Sequence, residues 1–329
     1  MKKRAFVDNL APSDEFICYL WRIALFLQKN NFKQNFINQI MKNFFFKAAM
    51  LLVMPLMAAS FVSCDDDNNS PAFQSELIGE YTPAARTMTI PGVVEEPADF
   101  YFVLNPTWTK DPSTILVGGF LPINTVVGLM DLALSNIVKE GLSEVSLKND
   151  GSLAAKYHDP DFSAHPNAST DMNEMIAWFL ESKFKPEVKV FPSVETDKIM
   201  PANAVGYYTN EATKTFYFTV SKDLLKQTGN SMEQPMDIVA LLDTLISELN
   251  LDIVSTPQYF GIPLKYREER AGVTELYVDR AMMLPFVELL KVLPEGTLPS
   301  IMGISLDSII NGIFDNSSEV ELGIFLQKK

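Results

Sequence analysis

The sequence predicts an α+β protein with a mainly antiparallel sheet, built of hairpins, and with amphipathic helices packed on one face. The clearest hairpin signal is a pair of alternating segments, Val145–Leu147 and Leu153–Tyr157, joined by the turn residues Asn149-Asp150-Gly151. Between such pairs, apolar residues recur at the 3.6-residue period of a helix. The alternation within the strands leaves one sheet face to water or to a ligand, as antiparallel sheets allow.

Five segments have helical periodicity, and each is expected to pack through an apolar face. In chain order they are 123–140, a helix beginning at Asp171, 235–250, 281–293 and a helix beginning near Ser305. Asp171 and Glu174 have the spacing of a capping box, which favours a helix start. Ser305 is predicted as an N-cap, and Pro285 is predicted near a first turn, where a missing N–H is tolerated.

Two further hairpins and a last strand complete the predicted sheet. They pair Ala204–Tyr208 with Lys214–Val220, pair Ile262–Tyr266 with Val273–Val278, and end with the strand Val320–Leu326. A helix followed by a hairpin occurs at 123–158 and again at 235–278. This succession indicates an internal repeat, although chance similarity between short amphipathic segments explains it equally well. The body, 75–329, is therefore predicted as one large domain or as two related halves with a boundary near 195–203.

Residues 41–63 have the layout of an export signal. Lys42 and Lys47 supply positive charge, and the apolar run Ala48–Ala59 is shorter than the roughly 20 residues that a membrane-spanning helix needs. The tetrapeptide Phe61-Val62-Ser63-Cys64 resembles the lipobox of bacterial lipoproteins, with Phe61 in place of the usual Leu. The resemblance implies cleavage before Cys64 and a diacylglycerol on its thiol. The alternative is an ordinary secretory signal next to an unmodified Cys.

An acidic segment follows directly. Asp65, Asp66 and Asp67 resemble the export signal that Bacteroidota lipoproteins carry after the lipidated Cys, which implies an outer-membrane anchor facing the cell exterior. The alternative is a tether that is acidic by chance, and in either case the composition of 64–74 predicts a flexible stalk. Residues 1–40 precede a start-like Met and are interpreted as a mis-assigned N-terminal extension, or else as an unusually long positive region.

Charge restricts the partners of the mature chain. Residues 1–63 contain 8 of the 27 Lys and Arg residues and 3 of the 41 Asp and Glu residues, so the other 266 residues carry a formal charge of −19. This argues against nucleic acid as a partner, because its phosphates need a basic surface. An apolar fraction of 47% excludes an intrinsically disordered chain. Cys18 lies before the cleavage point, so the mature chain has one Cys and no internal disulfide.

Recognisable catalytic motifs are absent from the sequence. It has no phosphate-binding, dinucleotide-binding, Ser-hydrolase or zinc-protease motif, and no cofactor is predicted. His158, Asp161 and His165 are the weak candidates for a divalent metal, but their spacing through a Pro-containing loop matches no common site, and a solvated loop is favoured. Acid–base hydrolysis by two carboxylates stays open, because the acidic residues form too many pairs to choose between.

Aromatic residues are the remaining candidates for recognition. Trp108 is expected in a Pro-flanked loop, where an indole suits sugar stacking, and Tyr207 and Tyr208 are neighbours on a predicted strand. Phe216-Tyr217-Phe218 and Tyr101-Phe102 form similar clusters. In each cluster, neighbouring residues are expected to point alternately to the core and outward. The alternative is that all of them are core residues and ordinary strand formers.

The lipobox, the acidic stalk and the early motif Leu77-Ile78-Gly79-Glu80-Tyr81 resemble a family of uncharacterised Bacteroidota surface lipoproteins, the domain of unknown function numbered 4925. This resemblance transfers no functional residue. Three functions remain: a non-catalytic module that binds a glycan, a peptide or an apolar ligand, an envelope-assembly lipoprotein that contacts a partner protein, and a carboxylate-type hydrolase. We expect the first, and no enzyme, because a lipid anchor with a stalk holds a recognition domain clear of a membrane.

Overall fold

The computed structural model describes residues 75–90, 94–161, 184–191, 204–230, 237–291, 300–301 and 304–329. Several expectations from the sequence lie outside these residues and stay predictions. They are the extension 1–40, the signal 41–63, the tether 64–74, the lipidation of Cys64, the acidic residues Asp65, Asp66 and Asp67, the helix beginning at Asp171, and the candidate ligand His165.

The described residues form five α-helices. They are α1 (Ile123–Gly141), α2 (Lys222–Asn230), α3 (Ile238–Glu248), α4 (Arg280–Lys291) and α5 (Leu306–Phe314). Four of them confirm predicted helices, and the Oγ of Ser305 caps α5 by accepting a hydrogen bond from the N–H of Ser308. Pro285 lies close to the first turn of α4 but just beyond it, so the expectation that its missing N–H is tolerated there is wrong. Because α4 begins directly after a strand, at Arg280, Pro285 lies inside the helix. Its backbone nitrogen has no N–H to donate to the helix there.

About half of the described residues lie in strands. In chain order these are β1 (Gly79–Pro83), β2 (Arg86–Ile90), β3 (Val94–Phe100), β4 (Phe102–Trp108), β5 (Leu116–Val117), β6 (Leu121–Pro122), β7 (Leu142–Leu147), β8 (Leu153–Pro160), β9 (Phe184–Phe191), β10 (Val205–Asn210), β11 (Thr215–Ser221), β12 (Val254–Ser255), β13 (Tyr259–Arg270), β14 (Val273–Asp279), β15 (Ser300–Ile301), β16 (Ile304–Ser305) and β17 (Ser317–Lys328).

One large sheet contains most of these strands, in the order β10-β11-β13-β14-β17-β1-β7-β8-β9, with β12 paired to β13 and β4 paired to β17. Its strand pairings are all antiparallel. The predicted α+β class with a mainly antiparallel sheet is therefore confirmed. The predicted hairpins β7–β8, β10–β11 and β13–β14 are confirmed as well.

The sheet divides at β17. β14 pairs with one edge of β17, with Leu276 opposite Ile324. The other edge is shared, because β4 lies opposite its first part, with Phe102 opposite Ile324, and β1 lies opposite its end, with Tyr81 opposite Lys328. Helix α1 packs on β4, β7 and β8, so it fills the space between the two branches.

The largest apolar cluster lies on one face of the sheet and is closed by contacts between distant strands. It includes Phe102, Tyr207, Phe216 and Ile324 from four strands and Val138 from α1. The backbone N–H of Tyr207 in β10 donates to the carbonyl of Gly151 in the β7–β8 turn at 2.8 Å. The edge strand β10 and the β7–β8 turn therefore meet, and the sheet encloses this cluster.

Candidate functional site

Three tyrosines cluster on the sheet face opposite the largest apolar cluster. Tyr208 of β10 and Tyr217 of β11 are stacked, with ring centroids 4.5 Å apart and an interplanar angle of 10°. Tyr259 of β13 meets Tyr208 edge-on, with centroids 6.3 Å apart and an angle of 61°. All three side chains are half-buried, so part of each ring stays accessible. We refer to Tyr208, Tyr217 and Tyr259 as the tyrosine cluster.

Strand register builds this cluster. Tyr208 lies directly opposite Tyr217, and Tyr217 lies directly opposite Pro263 of β13. Direct cross-strand neighbours have Cβ atoms about 4.5–5.5 Å apart, which is the separation of stacked rings. Gly261 leaves room beside them, because a Cβ at that position would lie 3.1 Å from the hydroxyl oxygen of Tyr208. The cluster thus has a glycine beside the Tyr208 hydroxyl.

The electrostatics of the cluster favour neutral hydrogen bonding. Burial, followed by the neighbouring hydroxyls of Tyr259 and Tyr217, raises the pKa of Tyr208 to about 12. Its hydroxyl therefore keeps its proton at neutral pH and can donate as well as accept. Stacked aromatic faces with hydroxyl groups can hold an apolar or sugar-like surface, but they supply neither a nucleophile nor a general base at neutral pH.

Tyr207 points to the other face, as the alternation predicted. It is 3% exposed, and its ring stacks on Phe216 with centroids 5.4 Å apart. Its hydroxyl donates to the carbonyl of Lys148 at 2.8 Å. Of the neighbouring pair of tyrosines, Tyr207 therefore belongs to the core, and Tyr208 alone presents its ring on the outward face.

The expectation that Trp108 lies in a loop is wrong. β4 continues through Asn105 and Pro106 to Trp108, which pairs with Ser317 of β17. The indole is half-buried and packs against an apolar cluster that includes Val320. Because β11, β13, β14 and β17 lie between β10 and β4, Trp108 does not join the tyrosine cluster.

The expectation of a solvated loop is wrong for His158. β8 continues to Pro160, so His158 is a strand residue opposite Val188 of β9, and its Nδ1 lies 2.9 Å from the carbonyl oxygen of Lys185. Asp161 follows directly after the strand. Within the described residues, no group of three or more His, Cys, Asp or Glu residues is placed to hold a metal ion.

A second polar cluster, which the sequence did not indicate, lies where α2, α3 and β12 meet. The Nζ of Lys222 lies 3.0 Å from both carboxylate oxygens of Asp243, 2.9 Å from the Oγ of Ser255, and 4.3 Å from the ring centroid of Phe260. Ser255 donates to Asp243 at 2.7 Å. Lys222 thus contacts the carboxylate of Asp243, the hydroxyl of Ser255 and the face of Phe260.

Asp243 is a poor base for Ser255. Hydrogen bonds from Ser255 and then from Lys222 hold its pKa below the usual value. A carboxylate whose pKa is lowered takes up a proton less readily, whereas an efficient general base has a pKa near the working pH. This arrangement therefore joins α2, α3 and β12 as an ion pair, and its chemistry does not match that of an activated serine.

A third cluster joins two carboxylates through one guanidinium. Arg267 binds Glu321 with two hydrogen bonds of 2.9 and 2.7 Å, and its Nε donates to Glu275 at 2.6 Å. Burial raises the pKa of Glu275, although Arg267 opposes this shift. Glycosidases need their two carboxyl groups on either side of a sugar. Here the guanidinium binds both carboxylates, so the geometry is that of a structural ion-pair network.

Sequence reasoning found part of the tyrosine cluster. Tyr208 was a candidate, and Tyr217 was noted within Phe216-Tyr217-Phe218, but Tyr259 was missed. The aromatic residue at the start of the strand that carries Gly261 and Pro263 was the available signal. This residue indicates a cluster with Tyr208 and Tyr217 only when β11 and β13 are known to be neighbours.

Comparisons with known proteins add no relative. No protein-family model matches this chain, and neither a curated protein nor a solved structure matches it. Among the helices of the described ranges, none is long and apolar enough to cross a membrane.

Proposed function

We propose that this chain is a lipid-anchored protein of the outer cell surface that binds a neutral glycan, a peptide or an apolar molecule without catalysis. The observation that carries the proposal is the stacking of Tyr208 on Tyr217 on an outward sheet face, with Tyr259 at its edge. Aromatic rings that bury large areas at little entropic cost are the usual anchors of recognition surfaces.

The chemistry of the tyrosine cluster restricts the class of ligand. Tyr208 and Tyr259 offer hydroxyl groups beside ring surfaces, which suits molecules that carry both apolar patches and hydroxyl or amide groups. The formal charge of −19 on residues 64–329 disfavours anionic polymers and nucleic acid. A neutral glycan fits these conditions best, followed by an uncharged peptide or an apolar molecule. No cofactor or metal has a part in the proposal.

The proposal includes an arrangement of the sheet that leaves one face for binding. In this arrangement the amphipathic helices are proposed to share the face of the large apolar cluster, to which α1 contributes Val138, while the tyrosine cluster lies on the opposite face. The succession of a helix and a hairpin is proposed to reflect related units, α1 with β7–β8 and α3 with β13–β14.

The anchor is proposed from the sequence. Cys64 carries the lipid, Asp65, Asp66 and Asp67 direct export, and the stalk to residue 74 leads to the body. Intact-mass analysis of membrane fractions is expected to show an acylated chain that lacks residues 1–63. Cys64→Ala is expected to release the protein from the membrane, with Cys18→Ala as the matched control. Retention of the Cys64→Ala protein on membranes would contradict the anchor.

A screen tests the binding site. The native protein, Tyr208→Ala and Trp108→Ala are offered the same arrayed glycans, peptides and lipids. A true ligand is expected to be lost with Tyr208→Ala and kept with Trp108→Ala. Loss with Trp108→Ala alone would move the site to β4, and turnover of an offered substrate would support the carboxylate hydrolase instead.

A second candidate function, contact with a partner protein of the cell envelope, is favoured by one exposed turn. Between β5 and β6, Gly118 and Gly119 have positive φ values of 62° and 79°, and the turn presents Leu116 and Phe120, which are 53% and 66% exposed. Large exposed apolar groups on a tight turn are typical of contact sites. A photo-crosslinking residue at position 120 is expected to capture a specific envelope protein in cells, whereas the same residue at Ser113 is not.

A further inference from the structure

Strand β9 lies at one end of the sheet order, and a continuous run of its residues is exposed. It pairs with β8 along one edge, with Val188 opposite His158 and Lys189 opposite Tyr157. Residues 185–190 are all exposed, and Val188 and Val190 are 54% and 50% exposed. Within the described residues, the second edge of β9 has no strand partner. An edge of this kind offers backbone groups for pairing with another strand.

Two observations bear on which backbone groups point to that edge. Pro186 has no N–H to donate into the ladder with β8, and it lies where the register of β8 and β9 shifts, between the pair of Val188 with His158 and the pair of Phe184 with Pro160. The carbonyl of Lys185, the preceding residue, points toward β8, where it lies 2.9 Å from the Nδ1 of His158. Because backbone direction alternates along the regular part of β9, Val188 and Val190 present their backbone groups at the outer edge, and we place Pro186, beyond the register shift, at the same edge.

We propose that this edge pairs with β9 of a second copy of this chain, antiparallel and about a two-fold axis at Val188. In this register Val188 faces Val188 of the second copy and Pro186 faces Val190. The N–H groups of Val188 and Val190 each donate to the second copy, to the carbonyls of Val188 and Pro186 respectively. Pro186 therefore costs one donor per strand and leaves four hydrogen bonds across the axis.

Charge complementarity selects this register. The same two-fold axis places Glu187 opposite Lys189 of the second copy, and it does so twice. These residues form the pairs that are not hydrogen-bonded through the backbone, in which side chains approach most closely. Moving the axis by one residue, to Glu187, would shift the pairing by two residues and put two Glu187 carboxylates opposite each other. The sequence Glu-Val-Lys is therefore complementary to itself only when Val188 is at the axis.

An existing ion pair accommodates the proposed contact. The Nζ of Lys189 lies 2.5 Å from Asp159 of the same chain. An ammonium group has three donors, so it can bind Asp159 and the incoming Glu187 together. On the opposite face, Pro186, Val188 and Val190 form a short apolar row that the second copy would double across the axis.

Cysteine crosslinking tests the register. In the full chain, Val188→Cys brings two Cα atoms to about 5.5 Å across the axis, within the range of a disulfide. Val190→Cys is the matched control, because its two copies would be about 13 Å apart along the strands. Under mild oxidation, Val188→Cys is expected to form at least about tenfold more covalent dimer than Val190→Cys or the native chain, which controls for Cys18 and Cys64.

A charge reversal provides the second measurement. Glu187→Lys places like charges opposite each other and is expected to abolish the dimer in sedimentation experiments, while Lys185→Glu, outside the ion pairs, is expected to preserve it. Equal crosslinking at positions 188 and 190 would overturn the proposal. A strictly monomeric native chain would also overturn it and would indicate that a segment of the same chain covers β9.

Discussion

The backbone N–H of Leu104 in β4 donates a hydrogen bond of 2.6 Å to the carboxyl group of Asp131 in α1. One turn further along the helix, the Oγ of Ser135 accepts from the N–H of Phe102 at 3.1 Å and donates to its carbonyl at 2.9 Å. A spacing of four helical residues spans about 6 Å, which matches the step of two residues along a strand. Helix α1 thus binds backbone groups at the edge of β4 that would otherwise pair with another strand.

The Asp131 contact predicts a pH-dependent stability. Burial raises the pKa of Asp131 from 3.8 to about 8, although the hydrogen bond from Leu104 opposes the shift. The folded carboxyl group therefore holds its proton more tightly than the unfolded one. Its contribution to stability is fully present below about pH 4 and is lost as the pH rises to about 8, at up to about 1.4 kcal/mol per pH unit.

Asp131→Asn keeps an acceptor for Leu104 without the titration. Denaturant unfolding at pH 5, 7 and 9 is expected to show that the variant gains stability over the native protein as the pH rises. Asp252→Asn, at an exposed loop position, is the control and is expected to follow the native profile. A parallel pH profile for Asp131→Asn and the native protein would contradict a neutral, buried carboxyl group.

Ser135→Ala tests whether α1 replaces a strand. The variant leaves the N–H of Phe102 and its carbonyl without their side-chain partner in a buried position, at a cost of about 1–3 kcal/mol. Amide hydrogen exchange at Phe102 is expected to accelerate far more than exchange at Val103, whose backbone groups face β17. Ser135→Thr, which retains the hydroxyl, is the control. Equal acceleration at both amides would indicate general loosening of the helix.

The ion pair of Arg267 with Glu275 predicts that the two residues are strongly coupled in the free energy of unfolding. Arg267→Met leaves the carboxylate of Glu275, a residue 4% exposed, without its cation and is expected to cost about 3 kcal/mol at neutral pH. The pKa of Glu275, already raised by burial, would rise further. The loss is therefore expected to be smaller at pH 5 than at pH 8, because the neutral form tolerates burial.

A double-mutant cycle measures this coupling. Arg267→Met combined with Glu275→Gln is expected to recover most of the stability that Arg267→Met loses, because the uncompensated charge is gone. Unfolding free energies of the two single variants and the double variant at pH 7 provide the test. Additive losses would show that Arg267 stabilises the sheet by other contacts.

Local signals explain which elements the sequence could predict. The β7–β8 hairpin was readable because strand alternation and the turn Asn149-Asp150-Gly151 lie within a few residues of each other. Trp108 was misplaced because Pro106 suggests a loop. The strand continues only because β17, more than 200 residues later, pairs with it. Such pairing is a long-range property.

The candidate site was also predictable from the sequence only where local signals define it. Alternation predicted that one residue of Tyr207 and Tyr208 faces outward, but it could not tell which one, since this depends on the side on which α1 packs. The stacking partner Tyr217 and the edge contact of Tyr259 depend on the registers of β10 with β11 and of β11 with β13. Asp131 and Ser135 had no motif, because they act on a strand that only the fold brings to them.

The most direct test of the proposed function is a calorimetric titration of the strongest ligand from the screen. Native protein, Tyr208→Ala, Tyr217→Ala and Trp108→Ala are compared at equal folded fraction. Loss of an aromatic anchor costs about 2 kcal/mol or more, so Tyr208→Ala and Tyr217→Ala are each expected to weaken binding about thirtyfold. Trp108→Ala is expected to leave the affinity unchanged. Unchanged affinity in both tyrosine variants would contradict a binding site at the tyrosine cluster.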